Sequence, residues 1–165
     1  MDIKQFRTAQ LLKVTQNGDK TTKEYAVTTF GVICPMGSVV REDDKWDNSY
    51  SVRAYSTIYV LKSTCKGSDC YKLQYAEGGW DIADGSVSVS GRKVILGSSG
   101  TNPNNGLFIS QDVTYYPSSN TYFYDAPYMD WTYIVRNSYM NVGSTSFATL
   151  KRGTSSWKLT LTNNY

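Results

Sequence analysis

A chain of 165 residues with a net charge of +3, 40% apolar residues and 19% charged ones has the size and balance of a folded globular domain, neither disordered nor coiled coil. Basic and acidic residues are scattered without a basic run, and no apolar stretch approaches the roughly 20 residues that span a bilayer, so neither a nucleic-acid partner nor a membrane span is expected. Histidine is absent, which excludes hydrolases built on Ser-His-Asp or Cys-His pairs and removes the usual proton shuttle near neutral pH.

The opening MDIKQFRTAQ lacks the apolar core of a signal peptide. Asp2 and Gln5 fit a capping box over a short helix carrying Ile3 and Phe6, and a frayed strand fits the same residues. The next stretch, LLKVTQNGDKTTKEYAVTTFGVI, sets Asn17-Gly18 between two β-prone runs and predicts a tight hairpin. Cys34, in GVICPMG, reads as a small buried apolar residue rather than a nucleophile. REDDKWDN gathers Glu42, Asp43, Asp44 and Asp47 in what reads as a solvated turn.

Period-two alternation is clearest in YSVRAYSTIYVL, where Val52, Ala54, Ile58 and Val60 share a core face and Arg53, Tyr55, Thr57 and Tyr59 share a wet or aromatic one. In STCKGSDCYK a four-residue polar loop separates Cys65 from Cys70. Opposed in a hairpin, the two would lie roughly 4.5 to 5.5 Å apart at Cα, within reach of a disulfide. A Cys65–Cys70 bridge is therefore expected, and with it an oxidising, secreted or extracellular setting. The absence of an Asn-x-Ser/Thr sequon suits a bacterial exported protein. Two thiolates without histidine make a poor zinc site, and neither DIADG nor EDDKWDN has the spacing of the helical calcium loop, so no cofactor or metal is expected, a structural calcium shared between two β loops being the alternative their oxygens leave open.

Further strands are predicted over 71–76, 86–96, 107–116, 121–124, 131–136, 145–152 and 156–162. Turn formers separate them, in EGGWDIADG, GSSGTNPNNG, YPSSN, MNVGS and RGTSS. GSSGTNPNNG lacks the lysine and Ser/Thr ending of a phosphate loop and reads as a long exposed connection. The final hairpin puts Trp157, Leu159 and Leu161 on one face of a strand that closes a sheet. The expected fold is all-β: an antiparallel sandwich or flattened barrel of about 8 to 10 strands in one domain over 1–165, with the short N-terminal helix as its non-β element.

The rings are concentrated in SSNTYFYDAPYMDWTY. Alternation puts Tyr122 and Tyr124 on one strand face and Trp131 and Tyr133 on another, which predicts an outward aromatic strip with Asp125 and Asp130 accepting hydrogen bonds from ligand hydroxyls. Sheet packing by residues that favour strands explains the same rings. Trp46 and Trp80, each beside acids, are further candidates for stacking or core anchoring. The expected function is a secreted, non-catalytic domain binding a carbohydrate or cell-surface component through exposed aromatics. A protein-interaction module, such as a toxin subunit, bacteriocin-like factor or surface-assembly component, would use the same strip. A glycosidase needs only a carboxylate pair from Glu42, Asp43, Asp44, Asp47, Asp81, Asp84, Asp125 or Asp130.

Overall fold

The computed structural model describes the backbone of residues 2–17, 20–34 and 38–165 and the side chains of residues 39–165. The chain divides into two compact units, Met1–Gly37 and Ser38–Tyr165.

In the first unit, β1 (Asp2–Asn17) and β2 (Lys20–Cys34) pair antiparallel from Asp2↔Cys34 to Asn17↔Lys20. This is the expected hairpin, and the two residues joining its arms lie outside the described ones. The expected helix over Asp2 to Phe6 is replaced by the start of β1, opposite Phe30 to Cys34. A helix of one turn is poorly nucleated, whereas the ladder gives the same backbone groups partners. Cys34 ends β2, and its side chain lies outside the described residues.

The second unit is a sandwich of two antiparallel sheets. One contains β3 (Ser38–Trp46), β4 (Val52–Cys65), β5 (Ser68–Ile82) and β8 (Thr121–Asp125) in that order, with β9 (Ile134–Val135) also on β5. The other runs β11 (Ser155–Asn164), β10 (Asn141–Arg152), β6 (Ser88–Thr101) and β7 (Phe108–Tyr115). Val52, Ala54, Ile58 and Val60 are fully buried, as their spacing predicts, and meet Val94, Leu96, Leu150, Leu159 and Leu161 from the facing sheet. Polar ties cross the same interior. Ser56 and Ser144 hydroxyls lie 3.0 Å apart, and the buried Asn163 amide donates to the carbonyls of Ser56 and Arg41.

Several stretches expected as turns are strand. Glu42, Asp43 and Asp44 lie in β3, an edge strand whose exposed charges discourage pairing with another chain. Asp47 alone of that group is buried. β5 runs on through Gly78-Gly79 because those glycines serve close approach rather than a turn: a Cβ on either would sit 2.2 Å from a backbone oxygen, of Tyr55 and Asn120 respectively. β6 likewise continues to Thr101, leaving a loop shorter than expected, and β10 already begins at Asn141.

The expected disulfide is present, with Cα atoms 5.9 Å apart. Its geometry differs from the expectation. The hairpin closes through two residues with positive φ, Lys66 and Gly67, so that Cys65 pairs with Ser68 and Ser63 with Cys70. The bridge therefore runs diagonally rather than between opposed residues.

Candidate ligand-binding face

Side-chain alternation on β4, β3, β5 and β8 builds the outer face of the larger sheet row by row. One row sets Asp44 beside Tyr55 and Gly79; the next sets Glu42, Thr57, Glu77 and Phe123 side by side; the third sets Val40, Tyr59, Tyr75 and Asp125. Strict alternation from the buried Leu73 would send Tyr75 into the core. A bulge intervenes: Tyr59 pairs with Tyr75 but Val60 with Leu73, leaving Gln74 as the extra residue. Tyr75 thereby turns outward onto Tyr59.

The result is a ladder of rings. Tyr59 and Tyr75 stack with centroids 4.0 Å apart, and Tyr75 meets Phe123 at 5.1 Å. Phe123 is 56% exposed, the tyrosines half-buried. Glu77 fixes the ladder's near end by accepting the Tyr59 hydroxyl hydrogen bond at 3.2 Å. Burial, then the Glu77 charge beside it, pushes the Tyr59 phenol well up, so it remains a neutral donor. Next to the ladder lies an open pocket of about 320 Å³ lined by Glu42, Asp43, Asp44, Arg53, Tyr55 and Thr57. Arg53 is held by Asp81 at 2.7 Å, and its guanidinium lies 5.7 Å from the centre of the Tyr55 ring. Gly79 leaves room for that ring, since a Cβ there would be 2.9 Å from the Tyr55 hydroxyl.

The residues expected to form the strip fall elsewhere, apart from one. Tyr122 and Tyr124 do share a face, but it is the inner one. Tyr122 is 7% exposed, against Trp80 at 5.7 Å, and Tyr124 stacks on Tyr115 at 4.1 Å. The cause is the register with β5, which sets Tyr122 opposite Gly78, where a Cβ would lie 2.7 Å from the phenol oxygen. Burial pushes the Tyr122 phenol up, while the hydroxyls of Ser56, Ser146 and Ser144 beside it act the other way. Trp80 is likewise a core anchor, 2% exposed, whereas Trp46 is partly exposed 6.2 Å from Tyr50.

Trp131 and Tyr133 precede the short β9 in irregular backbone, not in the expected strand, and are half-buried. Lys72 braces their loop, donating to the carbonyls of Tyr128 at 2.6 Å and Trp131 at 3.3 Å with its ammonium over the Tyr133 ring. Gln111 clamps Thr132 between them through both amide atoms. The two rings line a cleft with Cys65, Lys66, Pro103 and Asn104, apart from the ladder. Asp130 is exposed in the same loop; Asp125 alone joins the ladder, opposite Tyr75.

The remaining acids have structural partners. Hydrogen bonds from the Ser86 hydroxyl and amide, then the Arg152 guanidinium, hold the Asp84 carboxyl below the usual range. Asp47 accepts from the backbone of Ser49, Ser51 and Val52, from the Ser49 hydroxyl and from the Trp157 indole. Comparison of the chain with family models, curated proteins and solved structures returns no match.

Proposed function

We propose that the second unit is a secreted, non-catalytic binding domain that takes a neutral or amino-bearing polysaccharide across the Tyr59–Tyr75–Phe123 ladder. The single observation that carries this reading is the ladder: three touching rings on three neighbouring strands of an open sheet face, with carboxylates along the flank. A pyranose ring offers one C–H-rich face for stacking and a rim of hydroxyls. Rings fixed on a sheet supply contact area at little entropic cost, and the flanking Glu42, Glu77 and Asp125 accept from the rim.

The sign of the charge narrows the ligand. Five acids, Glu42, Asp44, Glu77, Asp81 and Asp125, stand on the face among the described residues, against Arg53, already bound by Asp81, and Lys72, whose ammonium is turned onto the Tyr128 and Trp131 carbonyls. Such a field disfavours uronates and phosphate polymers. The disulfide favours an oxidising compartment and so supports secretion. No helix among the described residues is long and apolar enough to cross a membrane. The non-catalytic reading is supported by the acids themselves, since Asp81 and Asp84 each face a separate arginine rather than each other.

A glycan array followed by pull-down on the polymers it selects tests this. Wild-type protein is expected to bind at least one neutral or amino-bearing glycan, and Tyr75→Ala to lose that binding. Binding confined to anionic glycans, or to none, would overturn the proposal.

A further inference from the structure

The outer face of the smaller sheet holds an anomaly of a different kind. Gly97 on β6 and Gly143 on β10 face each other, and their row continues to Asn164 on β11 and Asp112 on β7. The two glycines have unlike causes. A Cβ on Gly143 would sit 2.2 Å from the Asn163 carbonyl oxygen, so the fold requires glycine there. A Cβ on Gly97 would meet nothing nearer than the Gln111 oxygen at 3.9 Å, an ordinary contact, and its φ is not in the left-handed region. Neither packing nor backbone conformation demands a residue that weakens a strand interior.

A bare strand position without internal cause marks close approach by something else. Above the two glycines opens a trough of about 170 Å³. Asp112 and Asn164 stand at the ends of its floor row, and Ser99, Ser110 and Asn141 form the next row. A carboxylate, two amides and the hydroxyls of Ser99, Ser110 and Thr145 border it, with Ile95 as an apolar wall, while among the described residues no lysine, arginine or aromatic ring lines it. That inventory suits a ligand dense in hydroxyls and uncharged: the carboxylate accepts from a vicinal diol, and the amides both donate and accept.

We infer that this trough is a second sugar subsite, which takes one neutral pyranose edge-on through its hydroxyls. The choice of ligand class rests on the carbohydrate reading above, but the site and its residues are separate. With contacts on the outer faces of both sheets, the domain bridges two glycan segments, and two weak sites combine by avidity.

The test is a titration of the isotope-labelled full chain with glucose, galactose, mannose and N-acetylglucosamine, one at a time, followed by the backbone amide signals. At least one sugar is expected to shift the Gly97 and Gly143 amides saturably. Gly97→Thr is expected to weaken that binding by about tenfold or more while melting at or above wild type, because threonine favours strands and its Cβ has room. Asp112→Asn, which leaves the backbone unchanged, is expected to weaken it also and guards against a folding defect in the first variant. Absence of any shift at the two glycines, or wild-type affinity in both variants, overturns the inference. Shifts confined to Glu77 and Phe123 would overturn it and keep the ladder; shifts confined to the trough would do the reverse.

Discussion

Asp47 shows how much one side chain organises. Burial alone would raise its pKa, but hydrogen bonds from the Ser49 hydroxyl and from the backbone of Val52, Ser49 and Ser51 outweigh it and lower the value from 3.8 to about 2. A depressed carboxyl contributes stability that is present above the unfolded value and lost as pH falls through the folded one. Acid unfolding should therefore show a loss of about 2 kcal/mol spread between about pH 5 and 1. Asp47→Asn should flatten that limb, and Asp47→Ala should cost roughly 2 to 4 kcal/mol by leaving buried donors without an acceptor, both read from urea melts across pH. Gly78 makes the complementary point. Its substitution by alanine would place a methyl 2.2 Å from the Tyr55 carbonyl oxygen and 2.7 Å from the Tyr122 hydroxyl. Gly78→Ala should thus cost more than about 3 kcal/mol in the same melts, whereas Gly85→Ala, with nothing within 4 Å, should cost little.

Among the elements, the β4–β5 hairpin carries the covalent bond. The chain-entropy estimate for so short a loop is about 2 kcal/mol, so Cys65→Ala with Cys70→Ala should lower stability by that order without unfolding the sandwich. Three cysteines less the two bridged leave one, so the unfolded, unreduced protein should titrate one thiol rather than three. The strands themselves were legible in the sequence wherever polar and apolar residues alternate, as in Val52 to Val60 and Trp157 to Leu161, because one wet face and one dry face impose that period. Glycines misled it. Gly78, Gly79, Gly97 and Gly143 read as turn formers, yet each sits inside a strand, and for Gly78, Gly79 and Gly143 only tertiary neighbours reveal why. The ladder was half legible. Tyr59 was placed on the outer face by alternation, but Tyr75 reaches it through the Gln74 bulge, which no local pattern announces. For Tyr122, Phe123 and Tyr124, alternation separates the two faces without saying which is inner; the pairing of Tyr122 with Gly78 decides it.

At the scale of the second unit, charge is unevenly divided between the two outer faces, with Arg53 on the ladder face and Asp112 on the other as exceptions. Acids border the ladder on one sheet, while Lys93, Lys151 and Lys158 stand on the other, Lys93 over the Phe147 ring at 4.3 Å. The chain's net +3 therefore says little about what the ladder meets. Stacking on a neutral polymer involves little long-range charge, so retention should change little between low and physiological salt. The most direct measurement is affinity electrophoresis through gels containing the selected polysaccharide, comparing wild type, Phe123→Ala and Trp131→Ala. Phe123 is exposed enough to be removed without disturbing the core, and Trp131 lies in the separate cleft beside the disulfide. The account predicts retarded migration for wild type and Trp131→Ala and free migration for Phe123→Ala. Unimpeded wild type in every gel, or full retardation of Phe123→Ala, would contradict it.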